Sequence, residues 1–193
     1  MNHPTALVET AHIGAGTRVW AFAHVMAGAQ VGAGCNIGDH AFIESGAVLG
    51  DGVTIKNGVC VWEGVTLGHG VFVGPNAVFT NDRRPRSPRL EAVRARYATK
   101  AWLEPTMVRE GVTIGANATI VCGITLGEYA FIAAGALVTK TVRPYALMLG
   151  APARQNGWVC RCGARLQRSA TGWDCGECDG RYLEGGDTQI SPA

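Results

Sequence analysis

The sequence predicts an all-β chain built as a solenoid, a parallel β-helix of hexapeptide repeats. Three observations carry that expectation. First, an apolar residue recurs every sixth position from Leu7 through Ile13, Val19, Val25, Val31, Ile37, Ile43, Leu49, Ile55, Val61, Leu67 and Val73 to Phe79. Second, the same beat returns after an interruption, at Val108, Ile114, Ile120, Leu126, Ile132 and Val138. Third, a small or β-branched residue stands two places before most stops, and glycine often follows one place after. A helix would space its apolar residues by three and four, and a half-buried strand by two. A sustained period of six marks a repeat architecture instead.

Each hexad reads as a short strand with a large aliphatic side chain turned inward, followed by a corner. Glycine and Asn suit such corners because they tolerate left-handed backbone angles. Three hexads close one coil of about 18 residues, and coils stack at about 4.8 Å. After a lead-in over residues 1–5, four coils fit between Ala6 and Phe79, and two more between Val108 and Val142.

The coils supply a positional test for polar residues. Residues 18 apart lie above one another on one corner. Ser45, Glu63 and Asn81 form such a column. Glu63 and Asn81 each follow an inward residue by two, so a carboxylate and a carboxamide should lie side by side, about 5 Å apart at the backbone.

The beat lapses over residues 80–107, a stretch that reads as a long loop without evident structure. Loops of this length are usually functional or disordered. It carries seven basic residues, Arg83, Arg84, Arg86, Arg89, Arg94, Arg96 and Lys100, against Asp82, Glu91 and Glu104. Arginine forks suit phosphates and carboxylates.

Residues 158–193 break from the repeat. Cys160 and Cys162, then Cys175 and Cys178, are two close pairs flanked by Gly163, Gly172, Gly176 and Gly180. This spacing reads as a small zinc-ribbon-like module with one structural Zn on four thiolates, with free thiols or disulfides as the alternative, and the first pair is one residue shorter than usual. The expected domains are therefore 1–157, with its loop at 80–107, and 158–193, with a disordered tail after Glu184. Cys35, Cys60 and Cys122 fall within the coils as core or near-core residues.

Composition bounds the rest. A net charge of +2, with 17% charged residues, is too mild to argue for nucleic acid. No apolar run approaches the roughly 20 residues of a membrane helix, and no signal peptide precedes the repeat, so a cytoplasmic protein is expected.

The repeat, held over nearly the whole chain, resembles the hexapeptide-repeat acyltransferases. The resemblance implies a left-handed β-helix, against the usual right-handed crossover, and a homotrimer with active sites between subunits. The segments Phe79–Asp82 with Pro85–Ser87, Trp20–Val25, Cys35–Gly38, Trp62–Thr66 and Ile114–Ile120 are similar to a narrower group, the N-acetyltransferases of nucleotide-linked amino sugars. In that group the residues matching Glu63 and Asn81 look like the active-site pair. The segment Ile55–Gly58 departs from the group's pattern, as does Tyr97–Leu103.

The group implies transfer of acetyl from acetyl-CoA to the 3-amino group of a UDP-linked 2-acetamido-3-amino-2,3-dideoxy-glucuronate, in surface-polysaccharide sugar synthesis. The alternatives are a different UDP- or dTDP-linked amino deoxyhexose, or a non-catalytic nucleotide-sugar-binding β-helix. His24, Asn36, Lys56, Asn57 and Arg86 are the candidate sugar-nucleotide contacts, with His24 the most credible side-chain base. The stretch Arg143–Arg154 resembles the closing segment of acetyl-CoA-dependent members. Small side chains at Ala116, Ala133 and Ala134 would let coenzyme A approach the backbone, and Lys140, Arg143 and Arg154 could meet its phosphates. A carbonic anhydrase of this fold would need close histidine ligands, and His3, His12, His24, His40 and His69 form no such pair.

Overall fold

A computed structural model describes residues 1–185 and 189–193. Short parallel strands stack into three sheets that wrap one core. An eight-stranded face begins at Arg18–Val19, a seven-stranded face at Leu7–Val8, and a five-stranded face at Gln30–Val31. The chain visits the eight-, seven- and five-stranded faces in turn, so each coil has three corners. Partners within the stack are 18 residues apart, as in Phe72 with Thr54 and Phe42 with Cys60.

Two residues per hexad point inward. Ile37, Ile43, Ile55, Leu67, Ile114, Ile120, Leu126 and Ile132 are fully enclosed, and so are the small partners two places before the beat, among them Cys35, Ala41, Ala47, Val53 and Val59. Large and small side chains thus interdigitate along the axis, as dense packing demands. Cys35 and Cys122 are buried, and Cys60 is half-buried on a face.

The first stop of the beat is misplaced. Leu7 is exposed and pairs with His24, while Val8 pairs with Val25 and takes the inward place. The first coil therefore steps by five residues from Val8 to Ile13 instead of six. The seven-stranded face counts one rung more than four coils plus two, because this opening coil contributes its own strand.

The loop is inserted at the corner between the seven- and five-stranded faces. It leaves after Val78–Phe79 and returns as Thr106–Val108, which pairs in register with Val65–Leu67. It is not structureless: Glu91–Tyr97 forms a 3-10 helix, the one helical segment among the described residues. No helix among them is long and apolar enough to cross a membrane.

Ala146–Leu149 adds the last parallel strand of the eight-stranded face, and Arg154–Trp158 turns back antiparallel upon it. That returning strand crosses the expected boundary at 157. Beyond it, Gln167–Ser169, Gly172–Asp174, Arg181–Glu184 and Ile190–Pro192 form an antiparallel sheet. The expected disordered tail is therefore corrected: Ile190–Pro192 is a paired strand with Ile190 buried, while residues 186–188 of that tail lie outside the described residues.

Candidate active site and cysteine centre

The corner between the seven- and five-stranded faces gathers the polar column. Glu63 and Asn81 are neighbours there, and the Asn81 carboxamide donates to the Glu63 main-chain oxygen at 3.4 Å. The contact runs to the backbone and leaves the Glu63 carboxylate to another partner. Gly46 lies beneath it with φ of 83°, and a Cβ built there would stand 3.1 Å from the Glu63 Cγ. Two partners were invisible to the 18-residue count. The Glu63 N–H donates to the Glu44 carboxylate at 2.7 Å, which fixes the corner from one coil earlier. Lys100, from the loop, donates its ammonium to Glu63 Oε1 at 2.5 Å. Their spacings of 19 and 37 residues give no periodic signal.

The loop is pinned over this corner. The Glu104 N–H donates to the Asn81 carbonyl, and Leu103 packs where a side chain on Gly64 would otherwise stand. Farther out, Asp82 is the anchor. It accepts from both Arg96 terminal nitrogens at 2.9 and 2.5 Å, from the Tyr97 hydroxyl at 2.7 Å and from the Arg84 N–H at 2.8 Å. The Arg96 guanidinium above all, together with these other donors, outweighs burial and holds the Asp82 carboxyl well below the usual carboxylate range. Arg86 opens on a cavity of about 610 Å³ shared with Arg83, Arg84 and Arg96.

A cavity of about 250 Å³ starts beside the site and is lined by Gly64, Thr66, Met107, Gly123, Thr125 and Thr141. Thr141 also lines a second cavity of about 310 Å³ that holds Lys140, Arg143 and Arg154. The three basic residues singled out for phosphates thus share one cavity, and Thr141 lines both it and the cavity that reaches Gly64, next to Glu63.

The other candidates lie elsewhere on the single chain. Asn36, Lys56 and Asn57 line one cavity of about 250 Å³ with Trp20, whose indole donates to Asn36 Oδ1 at 2.9 Å. That cavity is on the corner between the eight- and seven-stranded faces, and Ala116, Ala133 and Ala134 continue the same corner upward. His24 projects from the seven-stranded face, edge-on to Phe42 and 3.4 Å from Glu9. It sits two rungs, about 10 Å, below the Cys60 rung that leads to Glu63. Within one chain His24 is therefore not beside Glu63.

The four cysteines of the terminal segment converge. Their sulfurs all lie within 4.8 Å of one another, with Cys160 to Cys178 at 3.4 Å and Cys175 at 3.6 Å from both Cys162 and Cys178. A tetrahedron with Zn–S bonds of about 2.3 Å has edges of about 3.8 Å, so the donor set fits zinc. The sulfurs are far beyond the roughly 2.05 Å of a disulfide. The Tyr182 hydroxyl donates to Cys160 at 3.2 Å, and the Glu177 N–H to Cys175 at 3.4 Å. Burial raises the Cys160 thiol, but the Tyr182 hydroxyl, the Cys162 backbone N–H and the neighbouring thiols overcome it and hold it at about 6. Such donors steady thiolates around a cation.

This centre sits against the last coils. Tyr145 stacks on Tyr129 at 5.6 Å and meets Tyr182 edge-on at 5.2 Å. Arg161 lies over the Tyr129 ring and donates to the Tyr145 hydroxyl.

Residues 10–45, 46–81 and 105–140 match the family described as bacterial transferase hexapeptide (six repeats), three segments of 36 residues in a chain of 193. The chain belongs to the hexapeptide-repeat transferases. Residues 28–63 also match the hexapeptide repeat of succinyl-transferase. The solenoid is accordingly the left-handed parallel β-helix that the repeat implies.

A dTDP-3-amino-3,6-dideoxy-α-D-galactopyranose 3-N-acetyltransferase of Aneurinibacillus thermoaerophilus is 44% identical over 77 residues, 40% of either chain. The bifunctional protein GlmU of Thermotoga petrophila is 43% identical over 60 residues, 30% of this chain and 13% of that one. The chain thus spans well under two thirds of these curated relatives. Among solved structures, a single-residue mutant of AntD, an N-acyltransferase from Bacillus cereus in complex with dTDP and coenzyme A, superposes with a TM-score of 0.52 at 14% identity. The match covers 83% of this chain and 81% of that one. WeeI from Acinetobacter baumannii gives 0.52 at 16% identity, over 80% and 57%. At such identities the likeness is one of fold.

Proposed function

We propose that the chain is an acetyl-CoA-dependent N-acetyltransferase of a nucleotide-linked amino sugar. One observation carries the reading: Gly64, next to Glu63, lines a cavity that shares Thr141 with the cavity of Lys140, Arg143 and Arg154. Coenzyme A phosphates in that cavity would lay the pantetheine arm along Thr125, Met107 and Thr66, and bring the thioester to Glu63.

Acetyl transfer needs a neutral amine held against a thioester carbonyl. Positioning of that kind supplies much of the acceleration. Glu63 accepts a hydrogen bond from the acceptor amine and balances the positive charge that develops on its nitrogen as the bond forms. The Asn81 carboxamide, once turned from the Glu63 backbone, donates to the developing oxyanion. No histidine stands at this corner, so the departing sulfur and water carry the last proton away.

The sugar-nucleotide candidates Asn36, Lys56 and Asn57 occupy a different corner from Glu63, as do Ala116, Ala133 and Ala134. A site uniting them needs two chains, which supports a homotrimer with active sites between subunits. The acceptor is read as the 3-amino group of UDP-linked 2-acetamido-3-amino-2,3-dideoxy-glucuronate, with Arg86 and Lys56 facing its carboxylate and diphosphate. A dTDP-linked 3-amino deoxyhexose is the second reading, favoured by the 44% identity to the Aneurinibacillus enzyme. The cysteine module is read as a structural zinc site on Cys160, Cys162, Cys175 and Cys178.

Steady-state release of free CoA tests this, with acetyl-CoA and the UDP-uronate beside its neutral and dTDP-linked analogues. Preferred turnover of the uronate is expected. Preferred turnover of a neutral dTDP sugar selects the second reading. No thiol release with any acceptor overturns the enzyme.

A further inference from the structure

We infer that Lys100 is an acetyl acceptor in its own right, a self-modification site carried on the active-site loop. The inference rests on the acetyltransferase reading of the Glu63 corner. The chain has three lysines, Lys56, Lys100 and Lys140, against fourteen arginines. Lys100 alone of the three makes an ion pair among the described residues, and its partner is the Glu63 carboxylate. A primary alkyl amine therefore already occupies the place where the acceptor amine would be held.

This is more than a solvated surface pair. Exposed ion pairs are individually weak and seldom fix a side chain. Here the Glu63 side chain is only 29% exposed, while that of Lys100 is 71% exposed and open to a second reactant. The backbone around Lys100 is tied down: the Leu103 N–H donates to the Lys100 carbonyl, and the Glu104 N–H to that of Asn81. Its partner Glu63 adjoins Gly64, which lines the cavity that shares Thr141 with that of Lys140, Arg143 and Arg154.

The reaction is ordinary amide formation. The Lys100 ammonium first gives up a proton to the Glu63 carboxylate and then to water. Its lone pair attacks the thioester carbonyl carbon, a C–N bond forms and the C–S bond breaks. Sulfur leaves with the electron pair and takes the second amine proton. Ammonium and acetyl-CoA become Nε-acetyl-lysine, CoA thiol and one released proton. The product nitrogen is neutral and no longer pairs with Glu63.

The test incubates the full chain with acetyl-CoA alone and follows acetylation of each lysine by peptide mass spectrometry. Lys100 is expected to react at least about tenfold faster than Lys56 and Lys140, with saturation in acetyl-CoA, and Glu63→Gln should bring it to their level. The two other lysines are internal references, so the comparison within the parent chain does not depend on how any variant folds. A Lys100 rate equal to theirs overturns the inference. A parallel sample with the amino-sugar panel separates the two readings. Acetylated sugar with bare Lys100 overturns self-acetylation alone, whereas no acetyl on either overturns both.

Discussion

Glu63 gathers more of the site than any other residue, because its three contacts come from three separate parts of the chain. Its backbone is held by Glu44 and by Asn81, and its carboxylate meets Lys100. On the proposed acetyltransferase reading, Glu63→Gln keeps the shape but removes the charge that would face the acceptor amine. It should lower kcat by about 10²–10⁴ in the CoA-release assay, the usual worth of a proton-handling group. Asn81→Ala should cost about 10²–10³, as loss of one oxyanion donor does. If both variants turn over like the parent chain, the corner is not the reacting centre. Lys140→Ala with Arg143→Ala should act differently. Each charge-assisted contact is worth about 1.5–3 kcal/mol, so the KM for acetyl-CoA should rise roughly tenfold or more while kcat changes little.

At the scale of elements, the loop is ordered by Asp82. Its folded carboxyl titrates below the ordinary value, so the anchor has full strength above about pH 4 and fades only as the pH falls through the depressed value. Hydrogen exchange of amides 91–103 should therefore be flat between about pH 8 and pH 5 after correction for intrinsic rates, and Asp82→Asn should raise it throughout. Unchanged exchange in that variant would show that the anchor lies elsewhere.

The same scale shows what sequence could and could not supply. Period six placed the strands, since burial of Ile37, Ile55 and Leu67 depends only on local spacing, and the 18-residue coil put Glu63 beside Asn81. It misplaced Leu7, because the pattern cannot say which of two adjacent apolar residues turns inward when a coil is one short. It gave no sign of the contacts of Lys100 and Arg96 or of the 3-10 helix, which follow from how an aperiodic loop folds back. The division of the candidates between two corners was implicit in the period and went unread.

For the whole molecule, the cysteine module closes one end of the solenoid. The last coil of a stack has no neighbour to cover its apolar face. Tyr145, Tyr182 and Trp158 are buried there, with Arg161 bridging to Tyr129. Metal removal should thus destabilise the solenoid as well as the module. A loss of even about 2 kcal/mol lowers Tm by about 4–8 °C in a chain of this size. Chelation followed by thermal unfolding reads this directly, and zinc addition should restore it. An unchanged Tm would mean that the four thiols hold no structural ion.

The register across the insertion has one more consequence. Phe72 pairs with Thr54, 18 positions before it, and with Thr113, 41 positions after it. The excursion thus adds 23 residues (41 less 18) to a single coil and returns to the ladder in step. The ladder keeps its register on both sides of the excursion. The rungs that flank it pair directly, Val65–Leu67 with Thr106–Val108, so the ladder itself does not set the length of the segment.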